Sequence, residues 1–159
     1  MLDRLLGVAQ ACAASLEAAG HHSAVLAYAS RTRHRVDLLK LKDWDEDAAA
    51  GAVAGRCRSL QAGGSTRSGS AVRHATARVL AHAAASPGIR PRLLLLGDGE
   101  PYDVDVHDPA YLGTDLRRAL AEAASQGVAV RSLTPQLLRR PAALQAALIG
   151  LLAGPSERP

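Results

Sequence analysis

The feature that most constrains the fold of this chain is an unbroken run of four leucines at residues 93–96, between Pro91 and Gly97. A short apolar run bounded by proline and glycine is typical of a β-strand. Because the run lacks polar alternation, it predicts a strand that is buried on both faces, as in a parallel sheet covered by helices.

The rest of the chain predicts more short strands, separated by helices. Apolar or alternating segments predict strands at residues 23–30, 36–44 and 128–134, and the first two are close enough in sequence to form a hairpin. Helical spacing of apolar residues predicts helices at residues 2–19, 45–60, 71–85, 113–127 and 136–152. The acidic residues 45–47 suit a helix N-terminus. This order predicts an α/β fold, a doubly wound, Rossmann-like and mostly parallel sheet with helices on both faces.

Composition narrows the possible functions. The length of 159 residues fits one domain, and the 48% hydrophobic and 21% charged residues fit a globular protein. Cys12 and Cys57 stand alone, which predicts reduced core residues and neither a disulfide nor a zinc site. Three tyrosines, one tryptophan and a net charge of +4 provide no basic-aromatic surface for nucleic acid. The sequence shows neither a membrane span nor a signal peptide, so we expect a cytoplasmic protein.

Two loops carry oxygen-bearing side chains where an α/β sheet binds its ligands. Asp98 follows the leucine strand, and Thr66 lies in the loop GGSTRSG just before a predicted helix. Ligands of open α/β sheets bind at the carboxyl ends of the strands. A hydroxyl and a carboxylate that meet there would suit a hard cation such as Mg²⁺, which prefers oxygen ligands.

These loops resemble a known family. The segments GGSTRSGSAVRHATARVL, LLLLGDGEPYDVDVHDPAYLGTDLRRALAEA and GVAVRSLT are similar to the von Willebrand factor type A (VWA) domain of nitric oxide reductase activation proteins (NorD) and rubisco activation proteins (CbbO). The resemblance covers residues 5–134 and includes two of the three loops of the metal-ion-dependent adhesion site, MIDAS. It implies a VWA fold in residues 1–135, followed by a C-terminal helix and disordered tail in residues 136–159.

The resemblance also implies roles for individual residues. Thr66 would coordinate the metal, and Asp98 would approach it, often through water. A rim around them would bind a partner protein; its members are Arg67, Glu100, Asp103, Asp105 and Tyr111. The family acts by recognition, so no catalytic residue is implied. The expected partner is a MoxR-class AAA+ ATPase that remodels a metalloenzyme, such as a nitric oxide reductase, or rubisco.

One part of the family pattern does not occur in these 159 residues. The largest contribution to a complete metal site is an Asp-x-Ser-x-Ser loop after the first, central strand, and no such motif is present. Gly97 also stands where the family usually has threonine or serine. We therefore expect a truncated VWA domain that binds magnesium weakly. The strands at 23–30 and 92–98 should either pair directly or leave a gap that an upstream segment would fill.

Other interpretations remain open. The chain could be a non-functional fragment of a longer activator with a start assigned too late, or a phosphoacceptor or phosphatase-like enzyme that uses Asp98. The enzyme would need a lysine near that carboxylate, and Lys40 and Lys42 both lie on the predicted strand at 36–44. Asp98 could also only cap a turn. The acidic residues that follow it could form a solvated loop; they are Glu100, Asp103, Asp105 and Asp108.

Overall fold

A computed structural model describes residues 1–98, 100–134 and 149–150 of the chain. Helices and strands are interspersed in this part, which confirms the predicted α/β class. The elements are α1 (Leu2–Ala18), β1 (Val25–Arg31), β2 (Arg35–Lys42), α2 (Gly51–Ser59), α3 (Ser68–Ala85), β3 (Arg92–Leu96), α4 (Pro109–Ser125) and β4 (Ala129–Leu133). Apart from residues 149–150, the predicted C-terminal helix and tail lie outside the described residues. No helix in the described ranges has the length and apolar character needed to cross a membrane.

The strands form two separate pairs instead of one continuous sheet. β1 and β2 form the predicted hairpin, antiparallel and in a register that runs from Val25↔Lys42 to Arg31↔Arg35. β3 and β4 are parallel, from Arg92↔Ala129 to Leu96↔Leu133. Within the described residues, β1 and β3 are not hydrogen-bonded to each other. The sequence left open whether these two strands pair directly or leave a gap, and the structure has the gap.

Each pair of strands has its own apolar cluster. Leu41, Val53 and Cys57 form the cluster of the hairpin, with Leu6 of α1 packed against it. The β3–β4 pair is covered by α3 and α4 through a second cluster; its buried members are Val79, Ala123 and Val128. Cys12 and Cys57 are both buried and free, which confirms their prediction as core residues.

The structure corrects the predicted burial of the leucine strand. Every residue of β3 is only half-buried, not enclosed on both faces. The reason is the gap: β3 has β4 on one edge, and its residues line an open cavity toward β1. The four leucines correctly predicted an apolar strand. They did not predict that the strand would be only half-buried in this structure.

The sequence suggested that the acidic residues 45–47 begin α2, but in the structure they lie before that helix. α2 starts at Gly51, and the preceding residues form a turn held by side chains. Glu46 Oε2 accepts a hydrogen bond from the backbone N–H of Asp43 at 2.7 Å, and Glu46 Oε1 pairs with Arg56 at 2.6 Å. Glu46 therefore stabilises a turn and not a helix N-terminus.

α4 begins four residues earlier than the sequence predicted. Asp108 caps it, since its Oδ1 accepts a hydrogen bond from the backbone N–H of Ala110 at 2.9 Å. Proline follows at the first helical position, where its missing N–H leaves no bond unmade. The cap and the proline together fix the end of the loop that connects β3 to α4.

A buried ion pair joins α1 to the hairpin. The side chain of Lys42 is 1% exposed, and its Nζ lies 2.6 Å from Glu17 Oε1 and donates to the carbonyl oxygen of Ser23 at 2.6 Å. The hydrogen bond from Lys42 is the main cause that holds the pKa of Glu17 below its ordinary value of 4.5. This pair ties the C-terminal turn of α1 to the last residue of β2.

Gly69 allows the close approach of α3 to α4. A Cβ at this position would lie 3.2 Å from the backbone carbonyl carbon of Asp115 and would also meet its carboxylate, which pairs with Arg73 at 2.9 Å. We expect Gly69→Ala to lower the free energy of unfolding by about 1–3 kcal/mol, because the helices must separate. Urea denaturation measures this change.

The matched control is Gly113→Ala in α4, where a Cβ meets nothing within 4 Å. That substitution should stabilise the helix by roughly 0.5–1 kcal/mol, since alanine has the higher helix propensity. If the Gly69 variant is as stable as the Gly113 variant, the two helices are farther apart than described.

Candidate functional site

Backbone pairing brings the Thr66 loop against the loop that joins β3 to α4, here called the acidic loop. The N–H of Thr66 donates to the carbonyl oxygen of Tyr102 at 2.7 Å, and its Oγ1 accepts from the N–H of Tyr102 at 3.1 Å. Thr66 thus stands at the N-terminal end of α3, half-buried and held in place by the other loop. The two segments singled out by the sequence do meet at one edge of the fold.

Asp98 is exposed at the carboxyl end of β3. Its Oδ1 accepts a hydrogen bond from the backbone N–H of Glu100 at 3.1 Å, so it does stabilise the turn that follows the strand. No described residue hydrogen-bonds to its second carboxylate oxygen, and the side chain is exposed. The turn-capping interpretation and a role at the surface are therefore compatible.

Tyr28, which the sequence analysis missed, lies between the two loops. Its hydroxyl is hydrogen-bonded to Ser68 Oγ at 3.0 Å and lies 4.0 Å from the position of a Cβ on Gly97. Burial raises the pKa of the Tyr28 hydroxyl, and the negative charge of Asp98 raises it further. A tyrosine in a strand otherwise built of small and aliphatic residues is the only signal that could have indicated this contact.

The described donors do not complete a magnesium site. Thr66 Oγ1 and Asp98 Oδ1 already accept backbone hydrogen bonds. No group of three or more His, Cys, Asp or Glu side chains within residues 1–98 and 100–134 is arranged to hold a metal. Magnesium demands near-octahedral coordination by oxygen. One hydroxyl and one carboxylate do not provide it, and no chemical step is derived through a metal here.

Asp103 is the best-buried charged group of the acidic loop, at 2% exposure. Its Oδ2 accepts hydrogen bonds from Arg67 Nε at 2.6 Å and from Ser30 Oγ at 3.0 Å, and its Oδ1 has no partner within the described residues. The expectation of a solvated loop is wrong for this residue, because the guanidinium and the hydroxyl replace water around the carboxylate.

Arg67 also reaches a second carboxylate. Its NH2 group donates to Asp105 Oδ1 at 2.6 Å, while Asp105 Oδ2 accepts from the backbone N–H of Arg33 at 2.7 Å. The hydrogen bond from Arg33 is the main cause of the lowered pKa of Asp105, and Arg67 lowers it further. Of the predicted rim, Arg67, Asp103 and Asp105 therefore bind one another, and this network fixes the loop to β1.

The outer surface of the acidic loop combines apolar and acidic side chains. Tyr102 and Val104 are each 61% exposed, and Tyr111 in the first turn of α4 is 54% exposed. Asp98 and Glu100 are exposed on the same loop. We call these five residues the apolar–acidic rim. Glu100 and Tyr111 were predicted to belong to a partner-binding rim, whereas Tyr102 and Val104 were missed, because single exposed apolar residues carry no sequence pattern.

Both lysines are engaged away from the candidate site. Lys42 pairs with Glu17 inside the hairpin half, and Lys40 forms an ion pair with Asp43 at 2.5 Å. A phosphoacceptor site at Asp98 would need a lysine beside the carboxylate. The described contacts offer no support for that enzyme-like arrangement.

An α/β fold whose threonine loop pairs with the loop after an apolar strand, Thr66 with Tyr102, is typical of a class of ligand-binding and protein-binding domains. The chain belongs to the von Willebrand factor type A domain family, which matches residues 3–144. The family resemblance found in the sequence is thereby confirmed.

Several curated proteins are similar to this chain. Protein NorD of Brucella suis biovar 1 is 39% identical over 119 residues, which are 75% of this chain and 18% of that protein. An uncharacterized protein of Pseudomonas aeruginosa is 40% identical over 114 residues, 72% of this chain and 18% of that protein. Protein NorD of Stutzerimonas stutzeri is 34% identical over 113 residues, with 71% and 18% covered. The chain thus matches less than a fifth of the length of these relatives. No solved structure matches it.

Proposed function

We propose that this chain is a non-enzymatic adaptor that binds a MoxR-class AAA+ ATPase in the cytoplasm and takes part in activating a metalloenzyme of the nitric oxide reductase type, or rubisco. Membership of the VWA family and the similarity to proteins named NorD support this role. The finer identity of the target follows from the family resemblance and not from any contact in the structure.

The observation that carries the proposal is the apolar–acidic rim. Exposed tyrosines are over-represented among the residues that dominate protein–protein affinity, and Tyr102 and Tyr111 are both more than half exposed. The exposed carboxylates of Asp98 and Glu100, on the same loop as Tyr102, would attract a basic surface on the partner and orient it. The ATPase should therefore present a basic patch around an apolar pocket.

The network beneath the rim supports the same role. Arg67 bridges Asp103 and Asp105, so the loop is held in one conformation before any partner arrives. A preorganised loop loses less conformational entropy on binding. Magnesium is proposed to contribute only weakly, because two oxygen donors leave most of its coordination to water.

The test is binding of the purified chain to a MoxR-class ATPase from the same genome, measured by biolayer interferometry with and without magnesium. Tyr102→Ala should weaken binding by about tenfold or more, since it removes a large exposed contact. Asp98→Ala should weaken it less, mainly by slowing association. Replacing magnesium by EDTA should change the affinity by less than about threefold, because a weak site is mostly empty at millimolar metal.

Leu39→Ala is the matched control, since Leu39 is 51% exposed on β2 and not on the rim. It should bind like the unmodified chain. Equal binding by the Tyr102 and Leu39 variants would remove the rim from the proposal. A loss of binding in EDTA as large as that caused by Asp98→Ala would show instead that a metal carries the interaction.

A further inference from the structure

The hairpin of β1 and β2 ends in three exposed arginines, here called the basic tip. Arg31 and Arg35 form the last cross-strand pair, with side chains 73% and 63% exposed, and Arg33 is exposed in the turn at residues 32–34. Among the described residues, Asp37 pairs with Arg35 at 2.6 Å and lies 4.0 Å from Arg31. One carboxylate does not neutralise three guanidinium groups, so the tip keeps a net positive charge.

The backbone of the tip is held against the acidic loop. The N–H of Arg33 donates to Asp105 Oδ2 at 2.7 Å, and Asp105 is itself paired with Arg67 at 2.6 Å. Thr32 has a φ of 60°, which is unfavourable for a β-branched residue. Such a conformation persists only where its surroundings hold it. The turn is therefore fixed in one position relative to the acidic loop.

This contact makes the basic tip a continuation of the apolar–acidic rim. In chain order the rim passes from Glu100 to the exposed side chains of Tyr102 and Val104. The next residue is Asp105, whose carboxylate contacts Arg33. Five Cα–Cα steps of about 3.8 Å and one side-chain hydrogen bond join Glu100 to Arg33, so the two lie within about 27 Å of each other. Acidic, apolar and basic groups thus share one surface.

The mixture of charges on this surface favours a protein segment over a polyanion. A nucleic acid or an anionic membrane carries charge of one sign, which Asp98 and Glu100 would repel. A protein segment can carry basic, apolar and acidic residues in turn. Complementary charges at the two ends of such a segment would exclude wrong partners and fix its register.

We propose that the basic tip and the apolar–acidic rim form a single docking surface that binds one segment of a partner protein in one orientation only. The segment carries basic residues opposite Asp98 and Glu100, apolar residues over Tyr102 and Val104, and acidic residues opposite the tip. An extended segment of about eight residues spans this surface. The inference rests on the proposed binding of an ATPase and adds the acidic end of the docking segment and its orientation.

The first test is binding of the full chain to the MoxR-class ATPase, measured by biolayer interferometry. Arg33→Glu should weaken binding by about fivefold or more, mainly by slowing association, and the difference should shrink at high salt. If charge reversal disturbs the turn, Arg33→Ala should still weaken binding by about two- to threefold. Arg90→Glu is the matched control, since Arg90 is exposed before the amino end of β3, and it should bind like the unmodified chain.

The outcomes separate this inference from the proposed function. If Tyr102→Ala weakens binding but Arg33→Glu does not, the adaptor role stands and the docking role of the tip is overturned. If the unmodified chain does not bind the ATPase, both are contradicted. If Arg33→Glu loses binding only to vesicles of phosphatidylcholine and phosphatidylglycerol, the tip contacts an anionic membrane, and the inference is overturned.

The second test is zero-length carbodiimide crosslinking, which determines the orientation. Arg33→Lys keeps the charge and supplies an amine that couples to partner carboxylates, whereas the carboxylate of Glu100 couples to partner lysines. Mass spectrometry should map both attachments to one segment of the ATPase, within about ten residues of each other. Attachments in separate regions of the ATPase, or coupling of the new amine only within the chain, would overturn the single docking surface.

Discussion

Replacing Asp103 with alanine is expected to lower the free energy of unfolding by about 3–5 kcal/mol, a large part of the stability of a domain of this size. Arg67, whose side chain is 13% exposed, would keep Asp105 but lose its 2.6 Å contact with Asp103, and Ser30 Oγ would lose its acceptor. A mostly buried charge that loses one of its two partners is less compensated, so the cost exceeds that of the missing contact alone. Urea denaturation followed by circular dichroism measures the loss.

The double variant Arg67→Met/Asp103→Leu separates charge from packing. It removes both charges together, so it should regain at least half of the stability lost in Asp103→Ala. Asp108→Ala is the exposed control and should cost only about 1 kcal/mol, the value of a helix cap. If Asp103→Ala costs no more than Asp108→Ala, the network does not hold the loop.

The second large effect is expected for Glu17→Ala. The ammonium group of Lys42 is almost fully enclosed, and without Glu17 its remaining partners among the described residues are the carbonyl oxygens of Ser23 and Asp43. We expect a loss of about 3 kcal/mol in the free energy of unfolding at pH 7. The double variant Glu17→Ala/Lys42→Met should recover most of that loss, because methionine fills the space without a charge.

The same ion pair gives the stability of the chain an acid dependence. Because Lys42 lowers the pKa of Glu17 below 4.5, the contribution of this pair is complete at neutral pH and is lost as the pH falls through the lowered value. Below pH 4.5, the free energy of unfolding of Glu17→Gln should therefore fall less steeply than that of the unmodified chain. Parallel acid titrations of the two proteins would show no such difference if the pair is broken in solution.

The sequence was most informative where local pattern and local structure coincide. The periodic segments became α1, α3, β1 and β4 close to their predicted bounds, and the hairpin followed from the short spacing of its strands. The Thr66 loop and Asp98 were singled out from residue type and position alone, and their role in binding stays a prediction. The start of α2 was missed, because the carboxylate of Glu46 bonds to the backbone N–H of Asp43 and to Arg56, contacts that lie outside helical periodicity.

The contacts beneath the site could not be read from the chain. Ser30 and Asp103 are 73 residues apart, and nothing local distinguishes Asp103 from Asp105 or Asp108, although one is buried and another caps a helix. Lys42 presents the same difficulty, since an alternating strand gives no sign that its last lysine points inward. Whether these side chains are buried depends on polar contacts between residues that are far apart in the sequence. Such contacts leave no local pattern in a single sequence.

The gap between the strand pairs has a mechanical consequence. Backbone hydrogen bonds fix the spacing of strands within each pair, but side chains around α3 set the distance between the pairs: Tyr28 with Ser68 at one end of the helix, and Trp44 stacked on His82 at the other. The Ser30–Asp103 hydrogen bond adds a third tie, between β1 and the loop that follows β3. Within the described residues the spacing of the two pairs is therefore set by side chains and not by a strand ladder, so exchanging one aromatic ring should change that spacing.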